Sequence, residues 1–168
     1  MSQFYAMPYD LDAKDFYFEN EKTYLEKRKN LKNAYGDEVE EFEFQIVDGE
    51  TIDVQLFEAL SVNQSNILKF IEQHEQWSDE AKINVIIAVG ECGYDFDFET
   101  DSPNDFDIDI YEADNLKDLA YQFVDEGLFG EIPDSIICYL DYEVIARDLS
   151  FDYSEIKIAG NSIFYRCT

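Results

Sequence analysis

Residues 105–127 read DFDIDIYEADNLKDLAYQFVDEG and contain the two periodicities that decide the fold. Residues 105–111 follow the pattern of a half-buried β-strand, with acidic side chains at 105, 107 and 109 and apolar ones at 106, 108 and 110. From residue 116 the apolar side chains recur at steps of three and four, as on one face of an amphipathic helix, and Gly127 is a typical helix stop. A strand followed closely by a helix favours an α+β fold.

The first fifty residues predict a small α+β unit, an antiparallel sheet with one helix. Residues 40–47 alternate strictly between polar and apolar side chains and predict a strand. Two other short strands are predicted at residues 3–9 and 16–18. Residues 20–34 predict a helix that begins at Asn20, a good N-cap residue, and ends at Gly36.

Two further regions complete the predicted organisation. Residues 51–91 predict a helical block, because their apolar residues recur at helical steps, and Ser78 is a good N-cap for its last helix. Strands and helices mix again from residue 92 onwards. There, helices are predicted at residues 116–124, after Pro133 and at 141–149, and final strands near 151–158 and 162–167, with a turn at Gly160-Asn161. The predicted subdomains are residues 1–50, 51–91 and 92–168.

The composition combines a large net charge with enough apolar residues for a core. The 168 residues include 39 acids and 12 bases, for a net charge of −27, yet 46% are hydrophobic and 16% aromatic. A disordered acidic tail would be poor in aromatic residues. The chain therefore folds in spite of its charge, and that charge would repel both nucleic acid and anionic membrane surfaces, so neither is an expected partner.

The charge is distributed unevenly along the chain. Residues 1–32 contain six acids and six bases, so all of the net charge lies in residues 33–168. Residues 91–155 contain 20 acids and only two bases, Lys117 and Arg147. Such a concentration indicates an anionic surface built for a cationic partner rather than an ordinary solvated exterior.

Two alternating rows are the centre of this predicted surface. One row places Asp95, Asp97 and Glu99 opposite two phenylalanines, and residues 105–109 repeat the pattern. On a strand, alternate side chains lie about 6.7 Å apart on one face, which resembles the regular charge of a phosphate backbone. The candidate surface consists of Asp95, Asp97, Glu99, Asp101, Asp105, Asp107, Asp109, Glu112, Asp114, Asp118, Asp125, Glu126 and Asp134.

A metal site or a catalytic function fits the sequence less well than an anionic surface does. The run from Asp95 resembles the opening of an EF-hand, but Thr100 stands where the loop needs glycine and Phe106 where it needs glutamate. The single histidine, His74, is predicted to be a surface residue of a helix. Cys92 lies in a Gly-Glu-Cys-Gly turn but is interpreted as a small buried residue at a helix end. No enzyme activity, metal or cofactor is expected.

The cysteines and the N-terminal residues indicate the compartment. Cys92, Cys138 and Cys167 are odd in number and widely spaced, which is typical of a reducing cytoplasm. Residues 1–12 lack the apolar run of a signal peptide, so we expect a cytoplasmic protein.

The C-terminal third resembles a known family. Residues 119–134 read LAYQFVDEGLFGEIPD and residues 139–149 read YLDYEVIARDL. This helix, acidic EIP step and DYE…ARDL helix are similar to those of the ArdA antirestriction proteins. The opening Phe4-Tyr5-Ala6 strand and the Val89-Gly90-Glu91 step are also similar.

The resemblance implies a structure and a function. ArdA proteins are elongated chains of three small domains that dimerise through the C-terminal domain and mimic bent DNA. They are carried by mobile elements in bacterial hosts and bind Type I restriction–modification enzymes, at the specificity and methyltransferase core, where DNA would lie. The family's antirestriction motif and dimer region map onto Glu126, Leu128, Phe129, Glu131, Ile132, Pro133, Tyr139, Asp141 and Tyr142.

Two other function classes stay open at this point. An acidic mimic of DNA could act on a different partner, such as a CRISPR effector, another defence complex or a nucleoid protein. A structural or calcium-buffering acidic protein would share the same composition. Inhibition assays with several purified partners would test the first alternative, and a calcium titration would test the second.

Overall fold

Two antiparallel three-stranded sheets organise the chain, and seven α-helices accompany them. The computed structural model describes residues 1–168, which divide into two compact units, residues 1–106 and residues 107–168. The predicted α+β class is confirmed. None of the helices combines the length and the apolar character that crossing a membrane requires.

The sheet of the first unit has the strand order β2-β1-β3, all antiparallel. Its strands are β1 (Gln3–Pro8), β2 (Phe16–Phe18) and β3 (Phe42–Asp48). The predicted alternation is confirmed in β3, where Phe42 and Phe44 are buried while Glu43 and Gln45 are exposed. The sheet therefore has one apolar face that the rest of the unit covers.

Helix α1 (Glu21–Asn30) begins as predicted and ends earlier than predicted. Asn20 accepts a hydrogen bond from the Thr23 amide at 3.0 Å, and the Thr23 hydroxyl accepts one from the Asn20 amide at 3.2 Å, which completes a capping box. The prediction that the helix continues to residue 34 was wrong. The Asn33 side chain accepts hydrogen bonds from the amides of residues 35 and 37, and this local turn competes with helix.

The predicted helical block is confirmed. It consists of α2 (Thr51–Ala59), α3 (Ile67–Gln73), a 3-10 turn (His74–Gln76) and α4 (Asp79–Gly90). Ser78 caps α4 by accepting a hydrogen bond from the Ala81 amide at 3.2 Å. The apolar side chains of the block are buried at Leu56, Phe70 and Val85, among others.

His74 is a core residue, so the prediction of a surface histidine was wrong. Only 2% of the residue is exposed. Its ring stacks on Phe70 at a centroid distance of 4.6 Å, Nδ1 lies 2.8 Å from the Phe70 carbonyl oxygen, and Nε2 lies 3.3 Å from Ser2 Oγ. Burial is tolerated because both ring nitrogens have partners.

A buried ion pair joins two helices of the block. Lys82 Nζ of α4 lies 2.6 Å from Asp53 Oδ1 of α2, and both residues are buried. The sequence alone does not indicate this pair, because each residue has the pattern of an ordinary charge on a helix surface. Removing one partner would leave the other charge buried without compensation.

The second unit has the strand order β4-β6-β5, also antiparallel. Its elements are β4 (Ile108–Glu112), α5 (Leu116–Asp125), α6 (Asp134–Ile137), α7 (Tyr142–Leu149), β5 (Ser154–Ile158) and β6 (Asn161–Cys167). The predicted α5 stripe is confirmed, since Leu119, Ala120, Phe123 and Val124 are buried. Pro133 directly precedes α6.

Two predictions for the strands need correction. The turn between β5 and β6 is formed by Ala159 and Gly160, both at positive φ, while Asn161 already pairs with Ile158. A two-residue turn of this kind matches the twist of the flanking strands. The predicted strand over residues 95–99 does not exist, and the strand predicted to begin at residue 105 begins at Ile108.

We expect Lys82→Met to lower the free energy of unfolding by about 3–5 kcal/mol, because it leaves the buried Asp53 carboxylate without a charged partner. The double variant Asp53→Leu/Lys82→Met should recover most of this loss. Urea denaturation followed by circular dichroism measures both effects. Lys69→Met is the control, because Lys69 pairs with Glu72 at the surface, where such pairs contribute about 0–1 kcal/mol. Equal losses for the two lysine variants would contradict the assignment.

Candidate anionic surface

Nearly all carboxylates of the chain lie at the surface. Asp53 is the one acidic residue among the 39 that is buried. Of the thirteen candidate carboxylates, Asp109 and Asp118 are half-buried and the others are exposed. The structure places them in three local groups and leaves the remaining ones isolated.

The first group lies on the acidic segment, residues 94–106 of the first unit. Its side chains alternate in exposure although the segment is not a strand: Asp95, Asp97 and Glu99 are exposed. Asp97 interrupts any extended conformation, because its Oδ1 accepts a hydrogen bond from the Glu99 amide at 2.9 Å and its carbonyl accepts from the Asp101 amide at 2.9 Å. Aspartate favours such turns over strand pairing.

Aromatic rings anchor the acidic segment to the helical block. Phe96 and Phe98 contact the Trp77 ring at centroid distances of 5.5 and 6.0 Å, and Phe96 also contacts Phe106 at 6.2 Å. The Gln73 side-chain amide donates a hydrogen bond to the Phe98 carbonyl at 3.1 Å. The rings face the protein, so the carboxylates between them face solvent on a fixed support.

The second group lies in a cleft of the second unit. Glu112, Asp114 and Asp118 line this cleft together with residues 160–162 of the hairpin turn. Asn115 caps α5 by accepting from the Asp118 amide at 3.0 Å, and its own side-chain amide donates to Asp118 Oδ2 at 2.9 Å. Asn115 therefore both caps the helix and fixes the position of the Asp118 carboxylate in the cleft.

The third group lines a groove at the C-terminal end of α5, which we call the α5–α6 groove. It is lined by Val124, Asp125, Gly127, Gly130, Glu131, Ile132, Pro133, Asp134 and Ile137. Gly127 and Gly130 both adopt positive φ, at 72° and 88°, and so allow the chain to turn twice between the helices. Three consecutive residues of the motif region, Glu131, Ile132 and Pro133, line this groove.

One candidate carboxylate is already neutralised within the protein. Asp109 forms an ion pair with Arg166, and the Arg166 guanidinium lies 5.3 Å from the centre of the Tyr153 ring. The hydrogen bond to Asp109 raises the pKa of Arg166 above its ordinary value. Asp109 therefore offers less charge to a partner than its place in the alternating row suggests.

The other bases of this acidic region are also engaged by carboxylates. Lys117 Nζ lies 2.8 Å from Glu143 Oε1, and this hydrogen bond raises the pKa of Lys117. Arg147 lies 3.3 Å from Asp148. These bases pair with residues outside the candidate set, so neither of them neutralises the three groups of carboxylates.

The motif region also exposes apolar side chains. Tyr139 is 82% exposed, and Leu128, Phe129 and Ile136 are each about half exposed. Tyr142 stacks on Tyr121 at a centroid distance of 3.9 Å. Asp141 caps α7 by accepting hydrogen bonds from the amides of residues 143 and 144, so its carboxylate has a structural role. A group of exposed apolar residues in one segment is a candidate for contact with a partner.

The carboxylates do not form a metal centre in this structure. No group of three or more His, Cys, Asp or Glu side chains has the arrangement that could hold a metal ion. The acidic segment in particular uses Asp97 and Asp101 for hydrogen bonds to its own backbone, with the Asp97 amide donating to Asp101 Oδ2 at 2.8 Å.

Comparison with protein families identifies the chain. The family model of the antirestriction protein ArdA matches residues 8–161 of the 168-residue sequence. The chain belongs to the ArdA antirestriction family. The resemblance inferred from residues 119–149 is thereby confirmed, and the ArdA match spans all three groups of carboxylates. Among curated protein sequences the comparison found no significant match.

We expect Phe98→Ala to detach the acidic segment without unfolding the helical block. Trp77 is the only tryptophan, so its emission should shift to longer wavelength as the ring becomes solvated, and amides 95–101 should exchange hydrogen faster. The free energy of unfolding should decrease by about 1–2 kcal/mol, less than the ~3–5 kcal/mol that removing a fully buried ring costs. Phe151→Ala, at an exposed ring of the second unit, is the control. Unchanged emission and exchange would show that the rings do not anchor the segment.

Proposed function

We propose that the chain inhibits a Type I restriction–modification enzyme by occupying its DNA-binding site in place of DNA. The enzyme's DNA channel must be basic to bind phosphates, and here it would meet carboxylates held on a folded support. Membership of the ArdA antirestriction family and the accumulation of unneutralised surface carboxylates together support this proposal. Inhibition of this kind requires no reaction by the chain and no cofactor.

The observation that carries the proposal is the contrast between acids and bases in the acidic half of the chain. Lys117, Arg147 and Arg166 are each held by a carboxylate outside the three groups, whereas those groups contain no base. Long-range attraction to a cationic channel would speed association, and the contacts would resemble those made to phosphates, which carry no sequence information. Inhibition should therefore be independent of the enzyme's recognition sequence.

We further propose that the chain acts as a homodimer in the cytoplasm of a bacterial host. The exposed apolar residues of the motif region, Leu128, Phe129, Ile136 and Tyr139, support a contact between copies. A dimer would carry a charge of −54, twice −27, which equals that of roughly 92 Å of duplex. The division into subdomains 1–50, 51–91 and 92–168 remains part of the same proposal.

Competition for DNA tests the inhibitor proposal directly. A purified Type I methyltransferase core holds labelled duplex while this protein is added at two salt concentrations. We expect displacement that is equal for duplexes with and without the recognition sequence and that weakens as salt rises, because the contacts are ionic.

Failure to displace DNA at large excess, with the protein shown to be folded, would contradict a Type I target. The same titration against a CRISPR effector and a nucleoid protein would then show whether the chain mimics DNA for another partner. Displacement that depends on the DNA sequence would contradict mimicry of the phosphate backbone.

Tyr139→Asp tests the dimer. The side chain is 82% exposed, so the substitution should leave the monomer folded while placing a charge in an apolar contact. Sedimentation should show a decrease from twice the 19.7 kDa chain mass to that mass. Tyr35→Asp is the matched control, because Tyr35 is 78% exposed and lies in the first unit. A wild-type protein that sediments as a monomer at all concentrations would contradict the proposal.

A further inference from the structure

The α5–α6 groove differs from the rest of the anionic surface because it combines carboxylates with apolar side chains. Val124 is buried, and Ile132 and Ile137 are half-buried, so they form the lower part of the groove. Asp125, Glu131 and Asp134 are all exposed and lie at its margin. None of the exposed apolar residues proposed for the dimer contact lines the groove.

The three marginal carboxylates are unpaired. Asp125, Glu131 and Asp134 make no hydrogen bond or ion pair, in contrast to Asp109, which has Arg166, and to Glu143, which has Lys117. The groove lies between the C-terminal end of α5 and the N-terminal end of α6, whose helix dipoles have opposite signs there. The three unpaired carboxylates therefore favour a positively charged occupant.

The apolar lining decides what kind of cation fits. A small ion gains nothing from contact with isoleucine and valine side chains. Lysine and arginine carry three or four methylene groups that pack on apolar surface while the charged end stays at the polar margin. A phosphate backbone provides no such apolar surface, so the groove adds a contact that DNA itself does not make to the enzyme.

Resting on the function proposed above, we propose that the α5–α6 groove takes a lysine or arginine side chain from the DNA-binding surface of the inhibited enzyme. The aliphatic stem lies on Val124, Ile132 and Ile137, and the charged group meets the three carboxylates. Part of this contact is apolar and is not screened by salt. The groove should therefore hold the complex at ionic strengths that weaken the other contacts.

Two triple variants with the same change in charge test this inference. The groove variant is Asp125→Asn/Glu131→Gln/Asp134→Asn, and the control is Asp95→Asn/Glu99→Gln/Asp105→Asn on the acidic segment. The control carboxylates are likewise exposed and unpaired. In the competition assay with the Type I methyltransferase core, the groove variant should bind at least about tenfold more weakly than the control, a difference of about 1.4 kcal/mol.

A second pair of variants tests the apolar part without changing charge. Ile132→Ala should weaken binding about three- to tenfold at every salt concentration and leave the salt dependence unchanged. Leu25→Ala, an exposed leucine of the first unit, should have no such effect. Thermal unfolding and sedimentation of all four variants establish that each is folded and has the wild-type mass.

The outcomes separate this inference from the proposed function. Displacement of DNA by the wild type, with equal losses for the two triple variants, would overturn the groove contact and leave inhibition intact. A groove variant that changes the sedimenting mass would assign the groove to a contact between copies, which would also overturn the inference. Absence of displacement by the wild type would overturn the proposed function itself.

Discussion

A net charge of −27 on 168 residues opposes folding, because each carboxylate raises the free energy of bringing the others close together. The structure meets this constraint by keeping carboxylates at the surface and by packing aromatic rings beneath them. In the first unit, Phe18 contacts Phe4, Tyr24 and Phe44 at centroid distances of 5.0–6.0 Å. The one buried carboxylate, Asp53, has Lys82 as its partner. Aromatic burial thus supplies the stabilisation that the charge removes.

The same constraint shapes the surface available to a partner. Bases that could neutralise the acidic region are used instead for local pairs, as Arg166 is with Asp109 and Lys117 with Glu143. The remaining carboxylates stand on ordered supports: the ring-anchored acidic segment, the capped start of α5 and the α5–α6 groove. An ordered support lowers the entropic cost of binding, because a flexible acidic tail would lose conformational entropy when it binds and an ordered segment loses less. Folding and the proposed function therefore depend on the same placement of charge.

The chain belongs to the ArdA antirestriction family, and the proposed mode of action is occupation of a DNA-binding site. Surface carboxylates can reproduce the charge of phosphates but not their exact spacing or chemistry. In the contact proposed for the groove at the end of α5, the protein would add what DNA lacks, namely apolar contact beside the charge. A mimic built from side chains can therefore bind more tightly than its charge alone would allow.

Local patterns in the sequence were sufficient for much of this structure. The α5 stripe, the caps at Asn20 and Ser78 and the alternation of β3 depend on interactions within a few residues, which the order of side chains determines directly. The sequence also determined the charge and its concentration after residue 32. The position of His74 was decided by tertiary structure, because its burial depends on Ser2, 72 residues away.

The remaining differences between the predicted and the observed structure also come from contacts between distant segments. Residues 95–99 alternate as a strand does, yet no neighbouring strand pairs with them, and hydrogen bonds of Asp97 within the segment favour a turn. Their alternating exposure comes instead from Trp77, whose ring contacts the rings of Phe96 and Phe98. Which carboxylates share a cleft or a groove likewise depends on loops that bring separate elements together. The sequence by itself determined the amount of charge, whereas packing between distant segments decided where each charge lies.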